Sequence, residues 1–361
     1  MSMPSAVLMS FRLGGVDGVS VEARKWEWAL RELGFSTRRV AGELAGALRP
    51  DDTWLAFLAI EPAPGAQPEP DALAATLAGA DVVVVENICS LPLNPTASNV
   101  TAEVLADHQG RVVFHHHDLP WERTHLARFT EFPPKRPGSL HVTINELARR
   151  GLAQRGIEAH LIRNAFDLDP SAGDREATRS SLGFAKDDVV VLQPTRAIPR
   201  KEVGRGIDFA AAIQTELTSR VVRYWLTGPA EDGFDAALKE LVGRSPVPVA
   251  QGRASRPEDA YAACDAVVFP SSWEGFGNPV IEATIAGKPI AVAHYPVLDE
   301  LIELGLHVLS IDDPSNVAAL LRTPDPRIEA ANRACLSSHF DLQDLPSRLR
   351  AAFASVGWEE W

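Results

Sequence analysis

The sequence predicts an α/β protein made of two Rossmann-like domains. Short apolar runs rich in β-branched residues alternate with helix-like stretches, which is the pattern of parallel strands covered by helices. The alternation breaks once, over Asp167–Arg175, and then starts again. A chain of 361 residues is long enough to give each of two domains its own apolar core.

The first half opens with a predicted βα unit. Ala6–Phe11 has the composition of a strand, and the glycine-containing loop Leu13–Gly18 follows it. A helix is then predicted from about residue 20 to residue 33, where Gly34 ends it. The proline-rich stretch Glu61–Pro70 predicts a surface loop. Further strands of this half are predicted at Asp81–Val85, Arg111–Phe114, Leu140–Thr143 and His160–Ile162.

The second half repeats the same alternation and ends in a helix-like stretch, Leu345–Trp361. Its strands are predicted at Val189–Leu192, Val221–Leu226, Pro248–Ala250, Ala266–Phe269, Ile290–Ala293 and His307–Ser310.

Composition and charge exclude several classes of partner. The formal net charge of −13 argues against nucleic acid and against an anionic membrane surface. No run approaches the ~18 apolar residues that cross a bilayer, and the N-terminus leads directly into a predicted strand, so we expect a cytoplasmic protein without a membrane anchor. The three cysteines have neither disulfide nor zinc spacing. These are Cys89, Cys264 and Cys335.

The segment that indicates a chemistry follows the predicted strand Ala266–Phe269. It contains Glu274 and Glu282, and a helix is predicted to begin at Pro279 and to end before Gly287. The turn at 274–278 therefore points backbone N–H groups, at a helix N-terminus, toward any bound ligand.

A helix N-terminus flanked by two carboxylates suits a mixed ligand. Phosphate oxygens accept hydrogen bonds from N–H groups, whereas sugar hydroxyls donate to carboxylates. A nucleoside diphosphate sugar has both kinds of group. The alternative interpretation is that Glu274 and Glu282 are ordinary solvated charges.

The sequence Glu-Gly-Phe-Gly at 274–277, with Pro279 and Glu282 after it, resembles the donor-site signature of retaining GT-B glycosyltransferases of family 4, the glycosyl transferases group 1. The resemblance continues in Ala286–Ala293 and Val297–Ile302, and in Arg163–Asp167 at the domain junction. Asn278 departs from the family's apolar residue and leaves the sugar open.

The resemblance implies a GT-B fold, in which two Rossmann-like domains face each other across a cleft. We accordingly expect an N-terminal, acceptor-binding domain over residues 1–166 and a C-terminal, nucleotide-sugar-binding domain over 167–344. A final helix, residues 345–361, is expected to cross back to the N-terminal domain.

Cations are expected beside the donor diphosphate, because charge develops on the leaving phosphate. Thr195–Lys201 resembles the family's Gly-Arg-x-x-x-x-Lys loop, which assigns Arg196 and Lys201 to this role. Thr195 replaces the family's glycine and Glu202–Arg205 extends the loop, so Arg200 or Arg205 could share this role.

His115, His116 and His117 end the predicted strand Arg111–Phe114. A metal site is disfavoured, because neighbouring side chains of a strand point to opposite faces. The resemblance places a histidine here against donor sugar and acceptor, and His117 with Asp118 matches best, with His116 as the alternative.

The remaining roles come from the resemblance. Gly14 and Gly15 are similar to a loop that lets the backbone approach the diphosphate. Glu282 is expected to bind the ribose, and Glu274 the transferred sugar. Backbone N–H groups are expected from the residues of the turn: Gly275, Phe276, Gly277 and Asn278. The residues expected in catalysis are His117, Arg196, Lys201 and Glu274, and the acceptor is assigned to Asp118 and His116.

The resulting prediction is a retaining, metal-independent hexosyltransferase that needs no cofactor beyond its nucleotide sugar, with GDP-mannose or UDP-glucose favoured as donor. The acceptor is expected to be a small soluble molecule such as a sugar, a glycosyl-glycerate or a natural product. Surface arginines and a lysine could receive a carboxylate: Arg12, Arg123, Arg128, Lys135 and Arg136. The alternatives are a non-catalytic sugar-binding protein and a GT-B epimerase or phosphorylase, and the oligomeric state is left open.

Overall fold

The computed structural model describes residues 3–358, which form two compact units. The described residues up to Ala165 and those from Leu342 onward make up the first unit, and Phe166–Asp341 make up the second. The chain thus leaves the first unit once and returns to it at its C-terminal end.

The first unit is built on a parallel sheet. Among the described residues it has seven strands in the order β3-β2-β1-β4-β5-β6-β7. The strands are β1 Ser5–Leu13, β2 Ser36–Leu44, β3 Thr53–Trp54, β4 Val82–Glu86, β5 Arg111–His116, β6 Leu140–Thr143 and β7 His160–Leu161. The helices between them are α1 Gly18–Glu32, α2 Pro70–Leu77, α3 Pro95–Asp107 and α4 Glu146–Ala153.

Strands β1 and β4 lie at the centre of this sheet and are buried on both faces, which is why they are nearly continuous apolar runs. One face packs on Trp26 and Leu30 of α1. The other face packs on Leu73 and Leu77 of α2. The two apolar layers hold the carboxyl ends of the strands in place, where the candidate site residues lie.

The sequence prediction of this half was incomplete, because it omitted β2 and β3. Strand β2 carries several polar and charged residues, and this masks the apolar signal of a strand. Its Arg39 is buried through an ion pair with Asp52 and not through apolar packing. Tertiary pairing with β1, in register from Ser5 and Ser36 onward, makes this segment a strand.

The second unit has its own parallel sheet. Its described residues form six strands in the order β10-β9-β8-β11-β12-β13. The strands are β8 Val189–Gln193, β9 Val222–Leu226, β10 Val249–Gln251, β11 Ala266–Phe269, β12 Ile290–Val292 and β13 Leu309–Ser310. The helices are α5 Arg175–Ser181, α6 Val203–Glu216, α7 Asp235–Arg244, α8 Pro257–Ala263, α9 Asn278–Ile285, α10 Pro296–Glu303, α11 Pro314–Arg322 and α12 Pro326–His339.

The last helix, α13 Leu345–Ser355, belongs to the first unit. Its Leu349 and Phe353 are buried in the same apolar cluster as Trp26. The helix is shorter than the predicted Leu345–Trp361, and residues 359–361 lie outside the described part of the chain. No helix among residues 3–358 has both the length and the apolar character needed to span a membrane.

Each sheet reverses its strand order beside a central strand, and this positions the candidate site residues of its own unit. The reversal lies between β1 and β4 in the first unit, and between β8 and β11 in the second. Ligands of open parallel sheets bind outside the carboxyl ends of the strands at such a switch point. The loops that follow these four strands contain most of the residues singled out from the sequence.

Gly42 of β2 allows a close approach of backbone that a side chain would prevent. A Cβ atom at this position would collide with the backbone of Leu58 and Ala59. We expect Gly42→Ala to lower the free energy of unfolding by about 1–3 kcal/mol, because the fixed backbone cannot yield to the added methyl. Gly18→Ala in α1 is the matched control, since nothing lies within 4 Å of its Cβ position. Urea denaturation compares the two variants, and equal midpoints would contradict the assignment.

Candidate active site

The turn between β11 and α9 is held by a buried tyrosine. Tyr295 donates a hydrogen bond from Oη to the carbonyl of Phe276 over 3.0 Å. Gly277 caps α9 with a φ of 102°, and a Cβ atom there would collide with the same hydroxyl. Glycine is therefore required both by the left-handed backbone and by the space that Tyr295 leaves. The amino end of α9 is fixed, with Asn278 as its first residue.

Glu282 lies on α9, one turn beyond that amino end, and Tyr261 of α8 fixes its orientation. The Tyr261 hydroxyl donates to Glu282 Oε2 over 2.7 Å. Burial of Tyr261, together with the Glu282 charge, raises the pKa of the phenol well above its ordinary value. The tyrosine therefore stays a hydrogen-bond donor, and the carboxylate keeps its position. Tyr261 was not found from the sequence.

Glu274 precedes the turn and is paired with two cations from the loop after β8. Lys201 forms an ion pair with Glu274 Oε1, and only 8% of the Lys201 surface is exposed. Arg200 donates from Nη1 to Glu274 Oε2 over 3.2 Å and to the Trp273 carbonyl over 2.9 Å. Burial lowers the pKa of Lys201, and the neighbouring Glu274 charge opposes this shift. The structure thus brings Lys201 and Glu274 together and adds Arg200 to them.

Arg196 has a different partner. Its Nη1 lies 2.6 Å from Oε2 of Glu231, and both side chains are more than a third exposed. Arg196 is therefore on the surface of the second unit, in an ion pair that solvent weakens.

A buried polar network holds the backbone of the loop after β8, which carries Arg200 and Lys201. Gln193, the last residue of β8, donates from Nε2 to the Lys201 carbonyl over 2.9 Å and to Thr195 Oγ1 over 3.0 Å. Its Oε1 accepts a 2.6 Å hydrogen bond from Tyr224 Oη. The sequence prediction gave no role to Gln193. The available signal was a polar residue directly after the apolar run Val189–Leu192.

Two further donors precede the turn. Ser271 Oγ and Trp273 Nε1 are buried and have no hydrogen-bond partner within residues 3–358. Buried donors without a partner cost free energy, so they mark a position where a ligand or water is expected to accept.

In the first unit, the histidines after Phe114 divide between the two faces of the sheet. His115 Nδ1 and His117 Nε2 both lie 2.8 Å from the same oxygen, Oε2 of Glu86. His116 points the other way, to Ser90 Oγ at 2.5 Å and His141 Nδ1 at 3.0 Å. Strand alternation explains the division. It leaves His116 in a separate buried network and His117 beside Glu86, the last residue of β4.

Glu86 controls the protonation of His117. Burial opposes the ionisation of Glu86, but His115 and His117 outweigh it and lower the carboxyl pKa to about 2. Burial disfavours the charged form of His117, yet its bond to Glu86 raises the imidazole pKa overall. The carboxylate is ionised at neutral pH, so His117 Nε2 must carry the proton that it donates. Glu86 was also missed by sequence reasoning, although it directly follows four valines.

The ligand atoms of Glu86, His115 and His117 all lie within 4.8 Å of one another, so the three residues could reach a single metal ion. Their hydrogen bonds engage His115 Nδ1, His117 Nε2 and Glu86 Oε2, whereas Glu86 Oε1 and His115 Nε2 are buried without a hydrogen-bond partner among residues 3–358.

Asp118 follows β5 and the glycine loop follows β1, and β4 lies between these two strands in the sheet. Asp118 pairs with Arg123 at 2.9 Å, and its backbone N–H donates to Asn87 Oδ1. Gly14 has a φ of 83°, and a Cβ there would collide with the Ala45 carbonyl. The packing of the first unit therefore by itself requires glycine at position 14.

Gly15 is less constrained than Gly14, and its carbonyl accepts a 2.5 Å hydrogen bond from Arg24. Of the cations proposed for a carboxylate, Arg136 donates to three backbone carbonyls and Arg12 pairs with Asp17 at 3.3 Å. Arg136 therefore has a structural role.

Comparison with known proteins agrees with this architecture. Residues 174–323 match the family model described as glycosyl transferases group 1. The chain is 25% identical to mannosylglucosylglycerate synthase of Petrotoga mobilis, over 97% of this chain and 96% of that protein. It is 29% identical to mannosylglucosylglycerate synthase of Thermotoga maritima, over 85% and 84%. D-inositol 3-phosphate glycosyltransferase of Streptomyces scabiei is 29% identical over 52% and 42%.

Solved structures show the same fold. Anabaena HepE in complex with UDP and glucose superposes with a TM-score of 0.71, at 20% identity, over 98% of this chain and all of that one. WaaG, a glycosyltransferase involved in lipopolysaccharide biosynthesis, gives 0.65 at 16% identity, over 98% of this chain and all of that one. The predicted GT-B fold class is confirmed, and so is the resemblance to glycosyl transferases group 1. The chain is a glycosyltransferase with a GT-B fold, and its second unit carries the group 1 segment.

The link between Glu86 and His117 is testable by titration. We expect Glu86→Gln to lower the pKa of His117, because the neutral amide no longer stabilises the imidazolium. NMR titration of the imidazole, assigned by comparison with His117→Asn, measures the shift. Glu103→Gln, at an exposed position of α3, is the control and should leave the titration unchanged. An unaltered His117 midpoint in E86Q would rule out the proposed coupling.

Proposed function

We propose that this protein is a retaining, metal-independent hexosyltransferase that moves mannose, or alternatively glucose, from a nucleoside diphosphate sugar to a glycosyl-glycerate. The second unit holds the donor and the first unit holds the acceptor. The observation that carries the donor site is the grouping of Lys201, Arg200 and Glu274 beside the amino end of α9. The acceptor class is supported by the two mannosylglucosylglycerate synthases that match the chain over most of their length.

The proposed donor contacts lie along the turn before α9 and the first turn of that helix. Backbone N–H groups of residues 275–278 point to phosphate oxygens, which the helix N-terminus favours. Glu282, oriented by Tyr261, accepts hydrogen bonds from the ribose hydroxyls. Glu274 accepts from hydroxyls of the transferred sugar. The turn before α9 and the first turn of that helix therefore together recognise the nucleoside, the diphosphate and the sugar.

The cations exchange partners when the donor binds. Lys201 and Arg200 neutralise Glu274 in the structure described above, and a diphosphate offers them additional oxygens. Arg196 leaves an exposed ion pair with Glu231, and such pairs contribute only ~0–1 kcal/mol, so its transfer to phosphate has little cost.

Catalysis stabilises the leaving group. The bond between the anomeric carbon and the β-phosphate oxygen breaks, and that oxygen gains negative charge beside Lys201 and Arg196. The acceptor oxygen bonds to the anomeric carbon on the same face, and its proton passes to the leaving phosphate oxygen. The configuration of the sugar is retained. His117, with Nε2–H held by Glu86, supports the donor sugar and the acceptor, together with Asp118. The two cations supply the positive charge that a divalent metal supplies in other transferases.

Product analysis tests the reaction. With EDTA present, the purified protein should transfer mannose from GDP-mannose, or glucose from UDP-glucose, to glucosylglycerate with retained configuration by NMR. Lys201→Ala should lower kcat by about 10²–10³-fold, because the developing phosphate charge loses a positioned cation. Restoration of activity by Mg²⁺ alone would contradict metal independence. Free hexose without acceptor product would identify a hydrolysing enzyme, and donor binding without any product would identify a sugar-binding protein.

Nucleotide affinity tests the role of Glu282 separately. We expect Glu282→Ala to raise the Kd of the nucleoside diphosphate by about 10–100-fold, since hydrogen bonds to a charged group contribute ~1.5–3 kcal/mol. Tyr261→Phe should have a smaller effect of the same sign, because it frees the carboxylate without removing it. Isothermal titration measures both, with Glu303→Ala on the exposed side of α10 as control. Wild-type affinity in E282A would exclude the ribose contact.

A further inference from the structure

A second concave surface lies in the first unit, at the carboxyl end of β2. Its volume is about 440 Å³, within the ~300–1,000 Å³ of small-molecule sites. It is lined by Gly42, Glu43, Leu44, Leu48, Trp54, Ala56, Ala59, Glu61 and Ala63. We call it the Trp54 pocket. None of these residues belongs to the donor site described above.

Trp54 presents an aromatic face that the fold leaves open. The side chain is 65% exposed, although tryptophan side chains are highly buried on average. Its indole N–H donates to the Gly42 carbonyl over 2.7 Å, so the ring is held in place and its polar edge is satisfied. Leu48, 67% exposed, lies in the same pocket.

Two carboxylates line the pocket beside this ring. Glu43 and Glu61 are both exposed, and neither has a hydrogen-bond or ion-pair partner in the part of the chain that the structure describes. A pyranose ring has an apolar C–H face that packs on an aromatic ring, and hydroxyl groups at its edge that donate to carboxylates. The pocket offers both features. Its negative charge disfavours an anionic ligand or an anionic lipid surface.

The pocket adjoins the glycine loop assigned to the reaction. Glu43 and Leu44 pair with Arg12 and Leu13, the last residues of β1, immediately before Gly14. The Ala45 backbone lies against Gly14. The pocket and the glycine loop therefore lie at the same edge of one sheet, without any contribution from the second unit.

We propose that the Trp54 pocket binds the neutral glycosyl ring of the acceptor, with the ring stacked on Trp54 and its hydroxyls donating to Glu43 and Glu61. This inference rests on the proposed function and extends it. The acidic pocket takes the uncharged part of a glycosyl-glycerate and excludes the carboxylate part, which orients the acceptor at the glycine loop.

Binding is measured without turnover by saturation-transfer-difference NMR. The probe is methyl α-D-glucopyranoside, and UDP is added to fill the donor site. We expect signals from the wild type and from Trp54→Phe, loss of signal in Trp54→Ala, and weakening in Glu43→Gln with Glu61→Gln. The glutamine variants alter exposed, unpartnered side chains, so they remain informative if W54A folds poorly. Leu147→Ala, another exposed apolar residue of the first unit, is the control.

Kinetics give a second readout. Trp54→Ala should raise the KM for glucosylglycerate by about tenfold, as expected when a central aromatic contact is removed, with kcat and nucleotide affinity unchanged. Trp54→Phe should keep the KM close to that of the wild type, because it retains an aromatic face.

The outcomes separate the two proposals. A glucoside signal that depends on Trp54, without any transfer activity, would support the pocket and contradict the proposed reaction. Transfer with equal KM and equal signals in W54A and the wild type would overturn the pocket alone. A wild-type dimer that W54A converts to a monomer in analytical ultracentrifugation would also overturn it, because the face would then be an interface between copies.

Discussion

The buried ion pair between Lys201 and Glu274 is the interaction on which the donor site depends. A lone charge at either position would be strongly destabilising, so the loop after β8 and the turn before α9 must keep their mutual positions. Arg200 strengthens this requirement by bonding both the Glu274 side chain and the adjacent Trp273 backbone. Two crossover connections of one sheet are thereby fixed to each other. The same charges are available to a ligand that carries both phosphate and hydroxyl groups.

Buried hydroxyl and amide groups support this pair from the interior of the second unit. Tyr224 and Gln193 hold the Lys201 backbone, Tyr295 holds the turn at Phe276, and Tyr261 orients the Glu282 side chain. Each tyrosine is buried and keeps its proton, because burial raises the phenol pKa. These residues need not touch a substrate. They limit the motion of the groups that are proposed to do so, and preorganised groups lose less free energy on binding.

In the first unit, hydrogen bonds between imidazoles and a carboxylate hold the candidate site residues in place. Glu86 fixes the proton on one nitrogen of His117. Strand alternation turns His116 to the opposite face of the sheet, where it bonds Ser90 in a separate network. The close approach at Gly14 brings the loop after β2 against the end of β1, and the close approach at Gly42 brings the backbone of Leu58 and Ala59 against β2. Trp54 of β3 is 65% exposed. The edge of the sheet thus carries a polar network at β4 and β5 and an aromatic surface at β2 and β3.

The sequence by itself determined the two-domain α/β class, most strands, and the segments Thr195–Lys201, His115–Asp118 and Glu274–Glu282, because apolar periodicity and family motifs are local signals. Strands β2 and β3 were not predicted from the sequence, since polar residues mask their pattern. They form because β2 pairs with β1 and β3 pairs with β2. Only the tertiary structure decided that Arg200 joins Lys201 on Glu274, that Arg196 pairs with Glu231, and that Glu86 bonds His117 as well as His115. The partners in these contacts are separated by about thirty residues or more, and only the folded chain brings them within hydrogen-bond distance.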